Sequence, residues 1–378
     1  MKTYAIVASL YPPHVGGVER YSYNLAKKLA EHGNRVIVIT SGDGKIKEED
    51  GVKIYYMPSF MFIGGRLPVL KYGKKTKQLT LALKREKIDY FIINTRFYAL
   101  SLFATRLAYK IKKKAILIEH GSSHLTFNNG VLDFFVRIYE HLITFFVKRY
   151  PLKYYGVSQE ACKWLNHFKI QSVDTLYNAM DLHEIDSLLE KTEIDYRKQL
   201  NLSADDFLVV YIGRLIGGKG ILELNVAVGK LLKENPKVHL VIAGDGPLVS
   251  EIESQKTDNT HMLGRITYDK VIALLKAADV FCLPSESEGF PTSVLEAVAC
   301  KCFVITTKAG GSKELITGRE YGIILDNNKP ETIFDALNSI IDNKEYRIQA
   351  EQKCYERLKE NFTWDVVSKK VETVFENK

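Results

Sequence analysis

Residues 285–300 have the sequence S-E-S-E-G-F-P-T-S-V-L-E-A-V-A-C, and they decide the fold of this chain. The apolar run before them, Asp279 to Pro284, is typical of a strand buried in a parallel sheet. Apolar residues recur after them at helical spacing, at Val294, Leu295, Val298 and Ala299. The stretch therefore predicts a strand, a turn that carries Glu288, and a helix that carries Glu296. Because open α/β sheets bind ligands at the carboxyl ends of their strands, we expect a binding site here.

Two kinds of ligand group suit this turn. Backbone N–H groups at a helix N-terminus bind phosphate, and a carboxylate accepts hydrogen bonds from sugar hydroxyls. A nucleotide sugar would use both. Simpler interpretations stay open, because Ser293-x-x-Glu296 also fits a capping box and Glu288 also fits a solvated loop residue.

The spacing of the two glutamates resembles the E-x7-E signature of the family-4 glycosyltransferases, here as E-G-F-P-x5-E. The resemblance implies retaining enzymes with an α/β GT-B fold, in which two doubly wound Rossmann-like domains face each other and the active site lies in the interdomain cleft. It implies that Glu288 binds donor-sugar hydroxyls and that Glu296 binds the ribose. The turn Gly289-Phe290-Pro291 is expected to hold phosphate and donor sugar, with Thr292 and Leu295 lining the same site.

A second loop carries two cations. The strand predicted at Phe207 to Ile212 leads into Gly213-Arg214-L-I-G-G-Lys219-Gly220. This sequence is close to a Walker A loop, but Gly220 occupies the position of the Ser or Thr that binds Mg²⁺. It also resembles the G-R-x4-K-G element of the same family, which implies that Arg214 and Lys219 grip the diphosphate and take part in catalysis. Two fixed cations can replace a metal at a diphosphate, so we expect no metal cofactor.

Shorter signals add to the expected donor site. A glycine turn, Gly244-Asp-Gly246-Pro, follows the strand predicted at His239 to Ala243, and the resemblance places Gly246 near the nucleotide. The resemblance also places Arg265 or Ile266, at the end of a short strand, against the base. In the first predicted βαβ unit, Gly16 and Gly17 lie in a Pro/Gly-rich turn, where glycine lets the backbone approach a bound group.

A histidine ends another predicted strand, Ala115 to Ile118, in the sequence Glu119-His120-Gly121. The resemblance implies that His120 contacts the donor sugar near the reacting carbon, and we predict it to be catalytic. Glu19 and His124 are predicted to contact the acceptor.

The length of 378 residues predicts two domains. The sequence L-Y-N-A-M-D at 176–181 resembles the N-G-V-D hinge of the family. We therefore expect an acceptor-binding domain at 1–178, which a terminal helix at 363–378 joins, and a donor-binding domain at 179–362. Hydrophobic residues make up 46% of the chain and charged residues 26%, which is ordinary for globular domains that bury a core.

Positive charge is concentrated in the first half. Residues 1–178 carry 28 Lys and Arg against 13 Asp and Glu, a net charge of +15, whereas residues 179–378 carry 25 against 32, a net charge of −7. Apolar residues at 60–70 precede Lys71, Lys74, Lys75 and Lys77, a combination that suits an anionic membrane surface. The plainer interpretation of this segment is an amphipathic helix with a solvated basic face. Aromatic residues also recur at helical spacing from Val131 to Tyr150, and the plainer interpretation there is a helix that packs in the core.

We therefore expect a cytoplasmic enzyme, peripheral on the inner face of the cell membrane. It would transfer a hexosyl or N-acetylhexosaminyl group from a nucleotide sugar, expected to be UDP-linked, to a polyprenyl-diphosphate-linked saccharide in surface polysaccharide assembly. The five cysteines are expected to be reduced, and the start of the chain is expected to be a strand rather than a signal peptide. The alternatives are a nucleic-acid-binding module, a P-loop nucleotidase and a catalytically silent scaffold of the same fold. We expect no nucleic-acid partner.

Overall fold

A computed structural model describes residues 1–14, 16–127 and 129–376. The chain divides into two compact units. Unit 1 comprises Met1–Asn178 and the segment that begins at Trp364, and unit 2 comprises Ala179–Thr363. Each unit is a predominantly parallel sheet covered by helices, so the predicted α/β class with two Rossmann-like domains is confirmed.

Among its described residues, unit 1 contains nine strands and five helices before its last segment. In chain order they are β1 (Thr3–Val7), α1 (Gly17–Glu31), β2 (Arg35–Gly42), β3 (Ile46–Glu49), β4 (Val52–Phe62), β5 (Leu67–Leu70), α2 (Lys74–Arg85), β6 (Tyr90–Asn94), α3 (Ala99–Lys110), β7 (Lys114–Glu119), α4 (Gly130–Val147), β8 (Lys153–Gly156), α5 (Gln159–His167) and β9 (Asp174–Thr175). The sheet order is β3-β4-β2-β1-β6-β7-β8-β9, and β3 and β5 both pair with β4 in the antiparallel direction.

Unit 2 has a six-stranded parallel sheet in the order β12-β11-β10-β13-β14-β15. Its elements are α6 (Leu182–Lys191), α7 (Tyr196–Gln199), β10 (Phe207–Ile212), α8 (Ile221–Glu234), β11 (Val238–Ala243), α9 (Val249–Gln255), β12 (Thr260–Gly264), α10 (Tyr268–Ala277), β13 (Val280–Leu283), α11 (Thr292–Ala299), β14 (Phe303–Thr307), α12 (Ser312–Leu315), β15 (Ile323–Leu325), α13 (Pro330–Ile341) and α14 (Lys344–Asn361). The order reverses beside β10, so the carboxyl ends of β10 and β13 lie at a topological switch point.

The last helix, α15 (Trp364–Glu376), packs on unit 1. The ring of Phe375 stacks on Tyr90 with centroids 4.4 Å apart, and Trp364 meets Tyr21 edge to face at 5.0 Å. His32 and Asn34 contact the carboxylate of Glu372 at 3.0 and 2.7 Å. The chain therefore ends in the same unit in which it begins.

Strand predictions from apolar runs are accurate in unit 2, where β10 has the predicted bounds. In unit 1 the chain starts with a strand, as predicted. The plainer interpretation of the basic segment, an amphipathic helix, holds only for α2, because residues 59–70 form an antiparallel hairpin before it. The long β4 strand lies between β2 and β3 in the sheet and pairs with β5 at its far end, which a local pattern of apolar residues does not reveal.

Helix α4 has its aromatic residues on the outside. Val136, Glu140, Thr144 and Val147 are buried, whereas an exposed stripe runs along the opposite face through Val131, Phe134, Phe135, Ile138, Leu142 and Phe145. The exposed residues of this stripe therefore do not pack in the core. None of the helices in the described ranges is long and apolar enough to span a bilayer.

Candidate functional site

Four loops at the carboxyl ends of β10, β11, β13 and β14 contact one another through glycines that admit no side chain. A Cβ at Gly220 would lie 2.1 Å from the carbonyl oxygen of Pro284, and one at Gly246 would lie 2.3 Å from that of Leu215. One at Gly310 would lie 2.5 Å from that of Gly289. All three glycines also have positive φ angles. The loops that the sequence singled out are therefore one packed structure.

An ion pair joins two of these loops. Lys219 Nζ lies 2.6 Å from Glu288 Oε1 and donates a second hydrogen bond to the carbonyl oxygen of Ser287 at 3.2 Å. Both side chains are less than one-fifth exposed, so the pair is partly shielded from water but still reachable. The predicted diphosphate-binding cation and the predicted sugar-binding acid thus meet at the ends of β10 and β13.

Arg214 lies on the β10 loop as an exposed residue. The hydroxyl of Tyr211 donates to its carbonyl oxygen at 3.2 Å, which fixes the backbone at the start of the loop. Burial raises the pKa of Tyr211, the Glu288 carboxylate raises it further, and the Arg214 guanidinium lowers it. Arg214 and Glu288 therefore both act electrostatically on the same hydroxyl.

The Walker A alternative fails at Gly220. The residue after the lysine would need a hydroxyl side chain to bind Mg²⁺, but Gly220 has a φ of 74° and leaves no room for a Cβ beside Pro284. Helix α8 begins at the next residue. The loop geometry therefore argues against a P-loop nucleotidase.

The capping-box interpretation of Glu296 also fails. Helix α11 begins at Thr292, and its N-cap residue is Pro291, so Ser293 lies inside the first turn and cannot cap the helix. Glu296 is nevertheless buried, with 4% of its surface exposed. Local sequence suggested a cap because the spacing fits, but with Pro291 as the N-cap the helix begins two residues earlier than a Ser293 cap would require.

Two predicted donor contacts are core residues. Leu295 is fully buried in α11, and the ring of Phe290 packs against Phe362 with centroids 5.4 Å apart. A Cβ at Gly311 would lie only 2.1 Å from the Phe290 ring. These side chains therefore position the turn and the helix by packing. Any donor contact of Phe290 would run through its backbone, and the donor contacts predicted for Gly289, Phe290, Pro291, Thr292 and Leu295 stay predictions.

Arg265 and Ile266 follow the edge strand β12, which ends at Gly264. The carbonyl oxygen of Gly264 accepts a hydrogen bond from Gly244 N–H at 2.8 Å. This bond places the loop with Arg265 and Ile266 beside the glycine turn of Gly246. The structure thus brings the residues predicted to contact the base together at the carboxyl ends of β11 and β12.

His120 in unit 1 is held by a chain of hydrogen bonds. Ser22 Oγ donates to the Val18 carbonyl oxygen at 2.7 Å, and Asn94 Nδ2 donates to Ser22 Oγ at 3.1 Å. The Asn94 Oδ1 atom therefore accepts from His120 Nε2 at 2.8 Å, which leaves Nδ1 of the neutral ring as an acceptor. Burial lowers the pKa of His120 to about 3, so the ring is neutral at physiological pH.

A buried ion network supports the loop after His120. The Arg96 guanidinium bridges Glu119, at 2.5 Å, and Glu140, at 3.3 Å, and all three side chains are at most 1% exposed. Glu119 accepts from the backbone N–H groups of His120 and Gly121, each at 3.1 Å. Sequence analysis missed this network, because Arg96, Glu119 and Glu140 belong to three separate elements and form no motif.

The glycine-rich turn of unit 1 contains one constrained glycine. A Cβ at Gly16 would lie 2.2 Å from Glu19 Oε2, so the carboxylate folds directly over this residue. Burial raises the pKa of Glu19. Nothing lies within 4 Å of a Cβ built at Gly17, so the protein itself does not require glycine there.

His124 and His120 contact different groups of residues. Its Nδ1 atom is 2.8 Å from Glu140 Oε2, and its ring packs against Trp164, His141 and His167. The ring of His120 instead meets Tyr21 edge to face at 4.8 Å. The structure therefore does not bring His124 together with His120, and it surrounds His124 with other histidines.

Comparison with known proteins covers most of the chain. The family described as "Glycosyltransferase Family 4" matches residues 15–184, and the family described as "Glycosyl transferases group 1" matches residues 192–357. An uncharacterized glycosyltransferase of Methanocaldococcus jannaschii is 25% identical over 98% of this chain and 97% of that protein. One component of the Homo sapiens phosphatidylinositol N-acetylglucosaminyltransferase is 25% identical over 98% of this chain and 75% of that protein.

Solved structures agree on the fold. HepE of Anabaena, crystallised in complex with UDP, superposes with a TM-score of 0.75 at 18% identity over 100% of both chains. A glycosyltransferase from Rickettsia africae superposes with a TM-score of 0.74 at 17% identity, over 99% of this chain and 98% of that one. Together with the two family matches and the loops of unit 2, these likenesses confirm the predicted GT-B fold and enzyme class. This chain belongs to the family-4, group 1 type glycosyltransferases, and it is a glycosyltransferase.

Proposed function

We propose that the enzyme transfers a hexosyl or N-acetylhexosaminyl group, with retention of configuration, from a UDP-sugar to a polyprenyl-diphosphate-linked saccharide. The pathway would be surface polysaccharide assembly, on the cytoplasmic face of the cell membrane. One observation carries the donor half of this proposal: the Lys219–Glu288 pair joins the β10 and β13 loops at the carboxyl edge of the unit 2 sheet. A cation for phosphate and an acid for sugar hydroxyls are therefore adjacent at a topological switch point.

The cations would act on the leaving group. The acceptor hydroxyl oxygen forms the new bond to the anomeric carbon as the bond from that carbon to the diphosphate oxygen breaks. The electron pair leaves with UDP, and the acceptor proton passes to the departing phosphate oxygen. Lys219 and Arg214 would stabilise the negative charge that develops on the diphosphate, since fixed cations in a partly shielded site need no reorganisation during the reaction. This arrangement does not call for a metal ion.

The acids would recognise the donor. Glu288 would bind donor-sugar hydroxyls while its contact with Lys219 keeps the two loops in register, and Glu296 would bind the ribose. The backbone N–H groups of Gly289 and Thr292 would complete the phosphate site at the N-terminus of α11, where Pro291 fixes the turn but has no N–H to donate. Arg265 and Ile266 would contact the base, beside the turn of Gly246.

Unit 1 would contribute His120 and Glu19. The neutral His120 ring offers Nδ1 as an acceptor for a hydroxyl of the donor sugar. Glu19, folded over Gly16, would contact the acceptor saccharide. We assign no acceptor contact to His124, because its ring is engaged by Glu140 and by the surrounding histidines.

The named relatives support the donor and the acceptor class. The human protein is named for N-acetylglucosaminyl transfer to phosphatidylinositol. TuaC of Bacillus subtilis, 34% identical over 46% of this chain and 43% of that protein, is a putative teichuronic acid biosynthesis glycosyltransferase. HepE was crystallised with UDP and with UDP-glucose. The HepE structures thus support a UDP-linked donor, while the names of the human and Bacillus relatives support a lipid or polysaccharide acceptor.

Unit 1 carries a surface that suits a lipid acceptor. The α4 stripe places six apolar side chains on one exposed face. Arg137 is exposed on the same helix, and Lys148 and Arg149 are exposed directly after its end. The hairpin of β4 and β5 exposes Phe60, Met61 and Phe62. Arg66, in the hairpin turn, stacks on Phe127 at 4.5 Å in the segment before α4, so the hairpin and the helix are neighbours. Exposed aromatic residues beside basic ones favour the surface of an anionic membrane.

Transfer itself tests the proposal. Labelled UDP-glucose, UDP-galactose and UDP-N-acetylglucosamine would be offered with polyprenyl-diphosphate saccharides in vesicles, with EDTA present. We expect label to enter the lipid fraction from at least one donor, with the anomeric configuration of the donor retained in the NMR spectrum of the product. Transfer that appears only when Mg²⁺ or Mn²⁺ is added for the diphosphate, or a product with inverted configuration, would contradict the proposal.

A further inference from the structure

We propose that His124, His141 and His167 form a binding site for Zn²⁺ in unit 1. One ring nitrogen of each histidine lies within 4.8 Å of those of the other two. His124 is partly buried, and His141 and His167 are exposed, so the cluster opens to solvent on one side. This site uses none of the residues that we assign to the donor.

Three separate elements bring the histidines together. His124 lies on the segment between β7 and α4, His141 lies within α4, and His167 is the last residue of α5. The ring of His167 stacks flat on Trp164, with centroids 4.8 Å apart and planes 8° from parallel. This packing orients the third ring toward the other two, which meet it at centroid distances of 5.1 and 5.2 Å.

The distances are close to those of a zinc site. His141 Nε2 and His167 Nε2 are 3.4 Å apart. Two nitrogens that bind one tetrahedral zinc, each at about 2.0–2.1 Å, are separated by about 3.3 Å. The three nitrogens lie within 4.8 Å of one another, so the third needs a shift of up to about 1.5 Å to reach the same separation. Side-chain torsions of the two exposed rings can supply this shift.

A carboxylate behind the cluster completes the pattern. Glu140 Oε2 lies 2.8 Å from His124 Nδ1, so it fixes the tautomer in which Nδ1 carries the proton and Nε2 is the ligand atom. Metal-binding histidines commonly donate their second N–H to a carboxylate in this way. The two buried carboxylates, Glu119 and Glu140, share a single cationic partner, Arg96. The net negative charge that remains beside the cluster favours a cation.

The ligand set favours zinc over hard cations. Imidazole nitrogens suit Zn²⁺ and its transition-metal neighbours, whereas Mg²⁺ and Ca²⁺ prefer oxygen ligands. Three histidines leave a fourth tetrahedral position for water. Bound zinc would tie α4 and α5 to the segment that follows His120 and Gly121. The expected role is therefore to hold that segment in place.

The direct test measures zinc binding to the full chain. Any affinity tag is removed first, because a histidine tag would itself bind metal. The apo protein would be titrated with ZnCl₂ against a chromogenic chelator, and the metal retained after gel filtration would be counted. The variants are His141→Ala, His167→Ala and the double variant, whose rings are exposed and whose removal should leave the fold intact. The matched control is His261→Ala, which removes one of a histidine pair in unit 2 with ring nitrogens 3.3 Å apart.

We expect one zinc ion per chain in the wild type and in His261→Ala, at least 10-fold weaker binding in each single variant, and loss of the ion in the double variant. Glu140→Gln should weaken binding by about 10- to 100-fold, as for other carboxylates behind metal ligands. Co²⁺ bound in place of zinc should show the intense visible bands of four-coordinate cobalt. The proposal would be overturned by a wild type that binds zinc no better than the double variant, or by a six-coordinate cobalt spectrum.

Discussion

At the scale of single residues, the proposed donor site depends on Lys219 and Glu288. They lie 69 positions apart in the sequence and 2.6 Å apart in the structure. Neither is fully buried, so the pair costs little desolvation and its cation can be shared with an incoming phosphate. A paired lysine of this kind is pre-positioned for an anion, because its side chain is already held by Glu288 and by the Ser287 carbonyl.

Glu288→Ala should lower the rate of sugar transfer by up to about 3 kcal/mol of transition-state stabilisation, on the order of 100-fold, because it removes a charged hydrogen-bonding partner of the donor. The fold should be retained, since Lys219 keeps its bond to Ser287. Glu286→Ala is the matched control, on the same turn but bonded to Asn328 at 3.2 Å. Equal transfer rates in the two variants would refute the role of Glu288.

The stability of the protein should depend on pH through His120. Its pKa is about 3 in the folded protein, below its ordinary value of 6.5, so the unfolded chain binds more protons between these two pH values. Stability should therefore be lost as pH falls from about 6.5 towards 3, and nothing should change through this group above pH 7. His120→Gln should show a shallower loss of unfolding free energy in acid, measured by urea denaturation. Parallel curves for both proteins would contradict the assignment.

At the scale of elements, the donor loops pack through glycines. Gly220 lies against Pro284 and precedes α8, whereas Gly217, on the same loop, has nothing within 4 Å of a built Cβ and no positive φ. A close backbone contact and a positive φ therefore require glycine at position 220 but not at position 217.

Gly220→Ala should destabilise unit 2 by at least about 2 kcal/mol, because a Cβ would both clash with a backbone oxygen and force a non-glycine residue into a positive φ. Gly217→Ala should be nearly neutral. Urea denaturation monitored by circular dichroism would compare the two variants. A neutral Gly220→Ala would show that the β10 and β13 loops are not in contact.

Helix α4 should bind membranes through its exposed stripe. Replacing Phe134 and Phe135 with Ser should reduce sedimentation with vesicles that contain anionic lipid, and replacing Lys71, Lys74, Lys75 and Lys77 with Gln should reduce it further, by about 1 kcal/mol per lysine near the surface. The control replaces Val226 and Ile348, exposed apolar residues of unit 2, with Ser. If the control loses as much binding as the α4 variant, general surface hydrophobicity explains the effect instead.

The sequence predicted where strands and helices lie better than it predicted which face of a helix is buried. Apolar runs located β10 and β13, because a strand buried on both faces is apolar throughout. They could not show which side of α4 faces outward, since an aromatic stripe at helical spacing suits a core as well as a membrane. The capping-box pattern misled for a similar reason: a spacing of three residues fits both a cap and the interior of α11, and only the backbone at Pro291 decides between them.

At the scale of the whole molecule, the chain is two α/β units with opposite charge. The motifs at Arg214, Lys219, Glu288 and Glu296 were predictable, because each lies on one loop or helix of unit 2. The Arg96–Glu119–Glu140 network and the three histidines were not, because their members lie on different elements at irregular spacing. The predicted architecture is confirmed, whereas contacts between side chains of different elements could be found only in the structure.

The most direct test of the donor site is a calorimetric titration of nucleotide sugars, in the presence of EDTA, into the wild type and into Lys219→Ala. UDP-glucose, UDP-N-acetylglucosamine, ADP-glucose and GDP-mannose would form the panel. We predict that a UDP-sugar binds the wild type without a divalent ion, and that Lys219→Ala weakens this binding at least 10-fold, since it removes a cation from the diphosphate. Equal affinities for the two proteins, or no binding by any member of the panel, would contradict the account.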